Sequence, residues 1–301
     1  MITEESAESE VVLADLEMTR GLTIQLTAVG TLGMVVGWGL FSLLYEFGTG
    51  QAAALRLVPP DVGWWAVAVN ILVIVGVGTA FIVPHEWLHG LAIRYYGGEA
   101  RYGVGVAHFI LPYAYATSEH EFSRNQFIVV LLTPLVVLTL VGVPVMIGLE
   151  WGLLIVPLTL NAAGAVADVW MTLSVLSYPA HVRIVDHEEG VRILGHETDR
   201  VRPLSVTALV WDALAGAAVA AFSVFVLVAI GGPLLLSTLG VESLTVGTPG
   251  RITYLFAFTN TPDEISFGVG PGVLVIGALV GLFYAFVQTY RRRTPSNGET
   301  I

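Results

Sequence analysis

Long apolar runs separated by shorter polar segments make up most of this chain. Hydrophobic residues account for 55% of the sequence and charged residues for only 12%. Several runs exceed the ~20 residues that a helix needs to cross a bilayer. The pattern predicts an all-α polytopic membrane protein with about six transmembrane helices in a single membrane domain, residues 20–293. The spans are expected at about 22–45, 64–96, 127–149, 152–178, 205–236 and 269–290.

The polar segments carry weaker patterns. Residues 1–19 are rich in acidic side chains and are predicted to form a solvated, disordered or loosely helical tail, and residues 294–301 form a C-terminal tail. Between the second and third spans, apolar residues alternate with a period of two, which predicts a small β-hairpin insertion over residues 101–117. Two short strands are predicted within residues 180–203, and an outer loop over residues 240–266.

The charged residues bear on habitat and orientation. The net charge is −11, all 13 basic residues are arginine, and cysteine is absent. An acidic, lysine-free composition is typical of a high-salt cytoplasm, as in halophilic archaea, and it argues against nucleic-acid binding. The lack of cysteine excludes disulfides and thiolate metal sites. With six spans, 11 arginines lie on the side of the two termini and 2 on the other. The positive-inside rule therefore predicts a multi-pass protein of the cell membrane with both termini in the cytoplasm.

A His-Glu-x-x-His motif lies inside the second apolar run, at His85, Glu86 and His89. Positions four residues apart share one helix face, so both imidazoles can reach a single zinc ion, with Glu86 beside them to take a proton from water at the metal. Ionisable residues are costly within a membrane segment and are candidates for function. The alternative is a polar patch that packs helices together.

The second and fourth spans run in the same direction, so a third ligand can be identified by comparing how far each residue lies from the cytoplasmic end of its helix. His85 lies ten residues before Tyr95, and Asp168 lies ten residues before Tyr178, which places each about 15 Å from the cytoplasmic end of its helix. Asp168 is therefore the predicted third zinc ligand, and its alternative role is an ion pair or hydrogen bond between helices. Other residues that could take its place are Asp212, Glu119, Glu121, His108 and His120.

Asn161 lies two helical turns before Asp168 on the same face. It is a candidate catalytic residue that could hold a substrate backbone or an oxyanion, or it could simply hydrogen-bond a neighbouring helix. The histidines of the later polar segment are interpreted as solvated loop residues, because none belongs to a group with metal-ligand spacing. They are His181, His187 and His196.

His85-Glu86-x-x-His89-Gly90, followed by Asn161 and Asp168 in a later parallel span, resembles the putative zincin peptidases, multi-pass membrane proteins distantly related to the site-2 intramembrane metalloproteases. The likeness covers about residues 64–195. It implies a zinc-dependent endopeptidase with His85, His89 and Asp168 as ligands and Glu86 as the base.

The leading hypothesis is therefore a zinc intramembrane endopeptidase that cleaves a membrane protein or peptide near the cytoplasmic face of the bilayer, with the hairpin either as a peptide-binding edge or without a role. One alternative is a transporter of a metal ion or solute, although the outer halves of the second and fourth spans are nearly all apolar. Another is a membrane scaffold that binds partners without cleaving them.

Overall fold

The computed structural model describes residues 10–53, 63–107, 111–187, 190–199, 205–261 and 265–293, and it is mostly helical. Among these residues, six helical segments are long and apolar enough to cross a membrane, as expected of a multi-pass membrane protein. They are Arg20–Thr49, Trp65–Tyr95, Arg124–Gly148, Gly152–Val175, Val206–Thr238 and Gly272–Arg293.

Two of the six segments are built from more than one helix. The fourth is interrupted at Ala165, and the fifth passes through a π-helical turn at Leu227–Gly231, just before the Gly-Pro pair that begins its last helix. The helices are α1 Arg20–Thr49, α2 Trp64–Tyr95, α3 Arg124–Gly148, α4 Ile155–Gly164, α5 Val166–Val175, α6 Val206–Val226, α7 Gly232–Thr238 and α8 Gly272–Arg293.

Within the described residues, the polar segments contain three antiparallel sheets, so the expectation of an all-α protein with one hairpin is corrected. The strand orders are β1-β6-β5-β4, β2-β3 and β7-β8-β9. The β2-β3 pair lies between α2 and α3, where the sequence pattern places a hairpin, and runs from Arg101 opposite Thr117 to Ala107 opposite Leu111. The strands are β1 Val11–Glu17, β2 Arg101–Ala107, β3 Leu111–Thr117, β4 Glu121–Ser123, β5 Arg183–His187, β6 Gly190–Gly195, β7 Ser243–Val246, β8 Phe256–Asn260 and β9 Ile265–Val269.

Part of the predicted N-terminal tail is an ordered strand. β1 pairs antiparallel with β6, and Leu13 and Leu16 pack against a buried apolar cluster that includes Ile184 and Ile193. The apolar residues of this strand are difficult to recognise within the acidic composition of residues 1–19. Asp15 is exposed at the surface, whereas its neighbours Ala14 and Leu16 are partly buried. The interpretation of this stretch as disordered or loosely helical is therefore wrong for β1; residues 1–9 lie outside the described part of the chain.

The predicted outer loop over residues 240–266 also contains regular structure. β7, β8 and β9 form a three-stranded sheet in which Phe258 pairs with Phe267. Phe256 and Phe258 alternate with small or polar residues, the period-two pattern of a strand, and Phe258 is buried. The strands are only four or five residues long, and such short runs are weak predictors.

The chain divides into two compact units where the sequence suggests one membrane domain. The first unit contains Met1–Thr19 and Gly33–Val201, and the second contains Arg20–Leu32 and Arg202–Ile301. In the second unit α6 and α8 pack closely. The absence of a side chain at Gly281 permits this approach, since a Cβ atom there would lie only 2.3 Å from the carbonyl oxygen of Ala213. In the first unit α2, α3, α4 and α5 pack together, and β3 lies against α2. His85, Glu86, His89, Asn161 and Asp168 all belong to this first unit.

Candidate metal centre

Three predicted ligands meet between α2 and α5. The Nε2 atoms of His85 and His89 are 3.3 Å apart, and each lies 3.6 Å from Oδ2 of Asp168. Zinc ligands at ~2.0–2.1 Å in a tetrahedral arrangement are separated by roughly 3.4 Å. The three separations match the edges of such a tetrahedron, so the group fits one zinc ion and leaves a fourth position for water or substrate.

The second nitrogen of each imidazole is held by an oxygen acceptor. Nδ1 of His85 lies 2.9 Å from Oδ1 of Asn161, and Nδ1 of His89 lies 2.9 Å from the carbonyl oxygen of Val130. Since both partners are acceptors, each Nδ1 carries the hydrogen and donates it. This tautomer leaves the lone pair of each Nε2, the nitrogen that lies 3.6 Å from Oδ2 of Asp168, to bind a metal ion.

The carbonyl of Val130 is available to His89 for a reason that lies in the sequence. In an α-helix this oxygen would accept the backbone N–H of the residue four positions later, which is Pro134. Proline has no backbone N–H, so the Val130 oxygen has no helical donor. The His89 ring supplies the missing hydrogen bond. The proline in α3 therefore helps to position His89, a predicted ligand on α2.

Asn161 contributes a contact that differs from the predicted one. Its Oδ1 accepts from His85, which makes it a positioning residue for that imidazole. Its Nδ2 is buried and has no hydrogen-bond partner among the described residues. The amide nitrogen thus remains a donor for a substrate carbonyl or an oxyanion, and the predicted catalytic role stays a prediction.

Glu86 faces the same region from α2. Its carboxylate accepts a hydrogen bond from the backbone N–H of Ala116 in β3 and lies close enough to the two histidines and Asp168 to interact with their charges. The hairpin can approach α2 because Gly90 has no side chain. A Cβ atom at Gly90 would lie 1.9 Å from the hydroxyl oxygen of Tyr102 in β2. The motif and the hairpin therefore form one local structure.

The alternative third ligands have other partners. Asp212 belongs to the second unit and forms an ion pair of 2.8 Å with Arg292. Glu119 pairs with Arg101 and Glu121 with Arg183, each at 2.6 Å. The ring of His120 packs edge-on against Phe122, and His108 lies outside the described residues. Of the predicted candidates within the described residues, Asp168 is the acid that lies beside the histidine pair.

A comparison with protein families gives a match over part of the chain. Residues 78–183 match the family described as Putative zincin peptidase. The match implies zinc as the cofactor and supports metallopeptidase activity. We call residues 78–183 the zincin segment; it contains His85, Glu86, His89, Asn161 and Asp168. No curated protein and no solved structure matches the chain.

Sequence reasoning missed a second group, which extends beyond the zincin segment. His181, His196 and Asp199 each offer a ligand atom, and these atoms lie within 4.8 Å of one another. His181 and His196 lie in loops as predicted, but the structure groups them with Asp199, which their spacing in the sequence did not indicate. The prediction of two short strands within residues 180–203 contained part of this information, because antiparallel pairing of β5 with β6 places residues 181 and 196 at the same end of the two strands.

Two substitutions of Asn161 separate its two possible roles in the zincin segment. Asn161→Ala removes the acceptor for His85, and we expect zinc affinity to fall by about 10- to 100-fold, as for other residues that orient metal ligands. Asn161→Asp keeps an oxygen for His85 and removes the donor, so it should bind zinc more tightly than Asn161→Ala. Zinc titration of both purified variants checks this. Wild-type affinity in Asn161→Ala would contradict the positioning role.

Proposed function

We propose that this protein is a zinc-dependent intramembrane endopeptidase that cleaves membrane-embedded or membrane-proximal peptide bonds near the cytoplasmic face of the cell membrane. The observation that carries the proposal is the triangle of His85, His89 and Asp168 atoms, with separations of 3.3, 3.6 and 3.6 Å, inside helices apolar enough to cross a membrane. Glu86 supplies a carboxylate next to that triangle. Metal ligands and a neighbouring base are the parts that peptide hydrolysis requires.

When bound by the two histidines and Asp168, zinc supplies Lewis-acid chemistry that polarises a carbonyl and makes water more acidic. Glu86 takes a proton from the water whose oxygen attacks the scissile carbonyl carbon. The same carboxyl group then gives the proton to the leaving amine as the C–N bond breaks. The products are a carboxylate and an amine, and Glu86 returns to its starting state. The Ala116 N–H orients the carboxylate during these transfers.

Hydrolysis in a membrane segment also requires access for water. The side chains of the three ligands retain some exposure, 13% for His85, 9% for His89 and 16% for Asp168. By the predicted orientation, His89 and His85 lie about 9 and 15 Å from the cytoplasmic end of α2. A short polar path from the cytoplasm would therefore be enough to supply the reacting water.

A substrate helix must unwind locally before cleavage, because its carbonyls are occupied by intrahelical hydrogen bonds. The hairpin offers a place for the unwound segment. Within the described residues β2 and β3 form a two-stranded sheet, and Ala116 of β3 already contacts Glu86. An extended substrate that adds to this sheet as a further strand would have its backbone held near the catalytic carboxylate.

Removal and return of zinc tests the proposed function. The purified full chain, reconstituted in liposomes with a peptide that spans the membrane, is expected to cleave the peptide; treatment with a chelator should abolish cleavage, and added zinc should restore it. Magnesium serves as the control, because two histidines and a carboxylate favour zinc over magnesium. Cleavage that continues unchanged after zinc removal would contradict the proposal. Zinc flux into the liposomes without cleavage would instead support a transporter, and neither activity would support a scaffold.

A further inference from the structure

A second group of metal-type side chains lies at one end of the β1-β6-β5-β4 sheet. His181 precedes β5, His196 directly follows β6, and Asp199 ends the short helical turn Glu197–Asp199. Nε2 of His181 lies 2.8 Å from Oδ2 of Asp199, and the backbone N–H of His196 donates to the same oxygen at 2.8 Å. The carboxylate is thus held between the two histidine residues.

The sheet brings these residues together from separate parts of the sequence. β5 and β6 are antiparallel, with Arg183 opposite Leu194, so the chain positions just outside this pair meet at the same end. The rings of His181 and His196 have their centroids 5.8 Å apart. Gly195 lets the following turn fold back, because a Cβ atom there would lie 3.1 Å from Oδ2 of Asp199 and 2.8 Å from a methyl group of Leu13. The sheet therefore fixes the backbone positions of all three residues that offer a metal-ligand atom.

The carboxylate in this group is anionic and the group is open to solvent. An aspartate side chain is ionised at neutral pH, and hydrogen bonds from His181 and from the backbone N–H of His196 hold the Asp199 carboxylate in position. The His181 side chain is 55% exposed, whereas that of Asp199 is only 10% exposed. An ion arriving from solution can reach the imidazole, while the carboxylate beneath it is already oriented.

We propose that His181, His196 and Asp199 bind a divalent metal ion of the zinc class, separate from the ion of the candidate metal centre. One ligand atom from each residue lies within 4.8 Å of the others, so small side-chain rotations bring all three onto one ion. Two imidazoles and one carboxylate are ligands typical of zinc, and solvent can complete the coordination. The ion would tie the segment before β5 to the segment after β6. Because it binds only the folded sheet, zinc should stabilise this sheet against unfolding.

The test isolates this site by first removing the other one. In the full chain carrying His85→Gln and His89→Gln, we expect one zinc ion per chain after equilibration with buffered zinc, measured by elemental mass spectrometry. Adding His181→Gln and His196→Gln should remove that ion. His187→Gln is the matched control, because it removes an imidazole from the opposite end of β5 and should leave the count at one.

Two outcomes would overturn the proposal: no zinc in the first variant, or the same zinc content with and without His181 and His196. Size-exclusion chromatography and circular dichroism establish that each variant is folded. If the first variant does not fold, the wild-type chain is used, and His181→Gln with His196→Gln should lower its zinc content by one ion per chain. The readout is independent of peptide cleavage, so a failure of the proposed function would leave this result unchanged.

Discussion

Glu86→Gln is expected to abolish peptide-bond cleavage while zinc remains bound. Glutamine has nearly the same shape and can still accept the Ala116 N–H, but it cannot take a proton from water. Loss of a general base reduces a rate by about 10²- to 10⁴-fold, and here the same group also serves as the acid for the leaving amine. The two measurements are the turnover of a membrane-spanning peptide in liposomes and the zinc content of the same preparation.

Glu119→Gln is a suitable control for this substitution. Glu119 follows the same hairpin that Glu86 contacts, but its side chain is 79% exposed and pairs with Arg101. Exposed ion pairs of this kind contribute little, at most about 1 kcal/mol, so activity and zinc content should both stay near wild type. If Glu86→Gln cleaved as fast as Glu119→Gln, Glu86 would have no part in proton transfer, and the reaction would need another base.

The parts of the fold that the sequence predicts well are those with long repeating patterns. Runs of more than ~20 apolar residues allow few structures other than a long helix, and each predicted run coincides with one of the six helical segments that are long and apolar enough to cross a membrane. The histidine pair follows from the geometry of one helix, and Asp168 from the equal rise per residue in two parallel helices. Each of these inferences needs only distances along a helix axis, which the sequence contains directly.

The features that the sequence does not predict depend on contacts between distant segments. β1 is too short and too acidic to be recognised from its pattern, and it pairs with β6, a strand more than 170 residues later in the sequence. The contact between His89 and Val130 depends on how α2 and α3 pack. The sequence alone shows, from Pro134, only that the Val130 carbonyl has no helical N–H donor. The pairing of His181 with Asp199 depends on the register of β5 and β6 and on the turn that follows them.

Asp168→Asn is expected to remove zinc almost completely, and it tests whether this residue is a ligand or only a helix contact. The substitution keeps the shape of the side chain but replaces a carboxylate oxygen, which lies 3.6 Å from both histidine Nε2 atoms, with a neutral amide. Two neutral imidazoles would remain, one fewer than the three protein ligands of a catalytic zinc site. We expect the loss of affinity to exceed the 10- to 100-fold typical of residues that merely orient ligands, roughly more than 100-fold.

Asp212→Asn provides the matched control for that measurement, because Asp212 is also a buried acid in a membrane-type helix but pairs with Arg292 in the second unit. This variant should unfold somewhat more easily, since it removes the charge that pairs with Arg292, whose side chain is 37% exposed, and it should still bind zinc. The two variants therefore dissociate metal binding from stability: Asp168→Asn loses zinc, whereas Asp212→Asn loses thermal stability. If Asp168→Asn instead kept wild-type zinc affinity and lost only stability, Asp168 would be a helix-packing residue, and the third ligand would have to come from elsewhere in the chain.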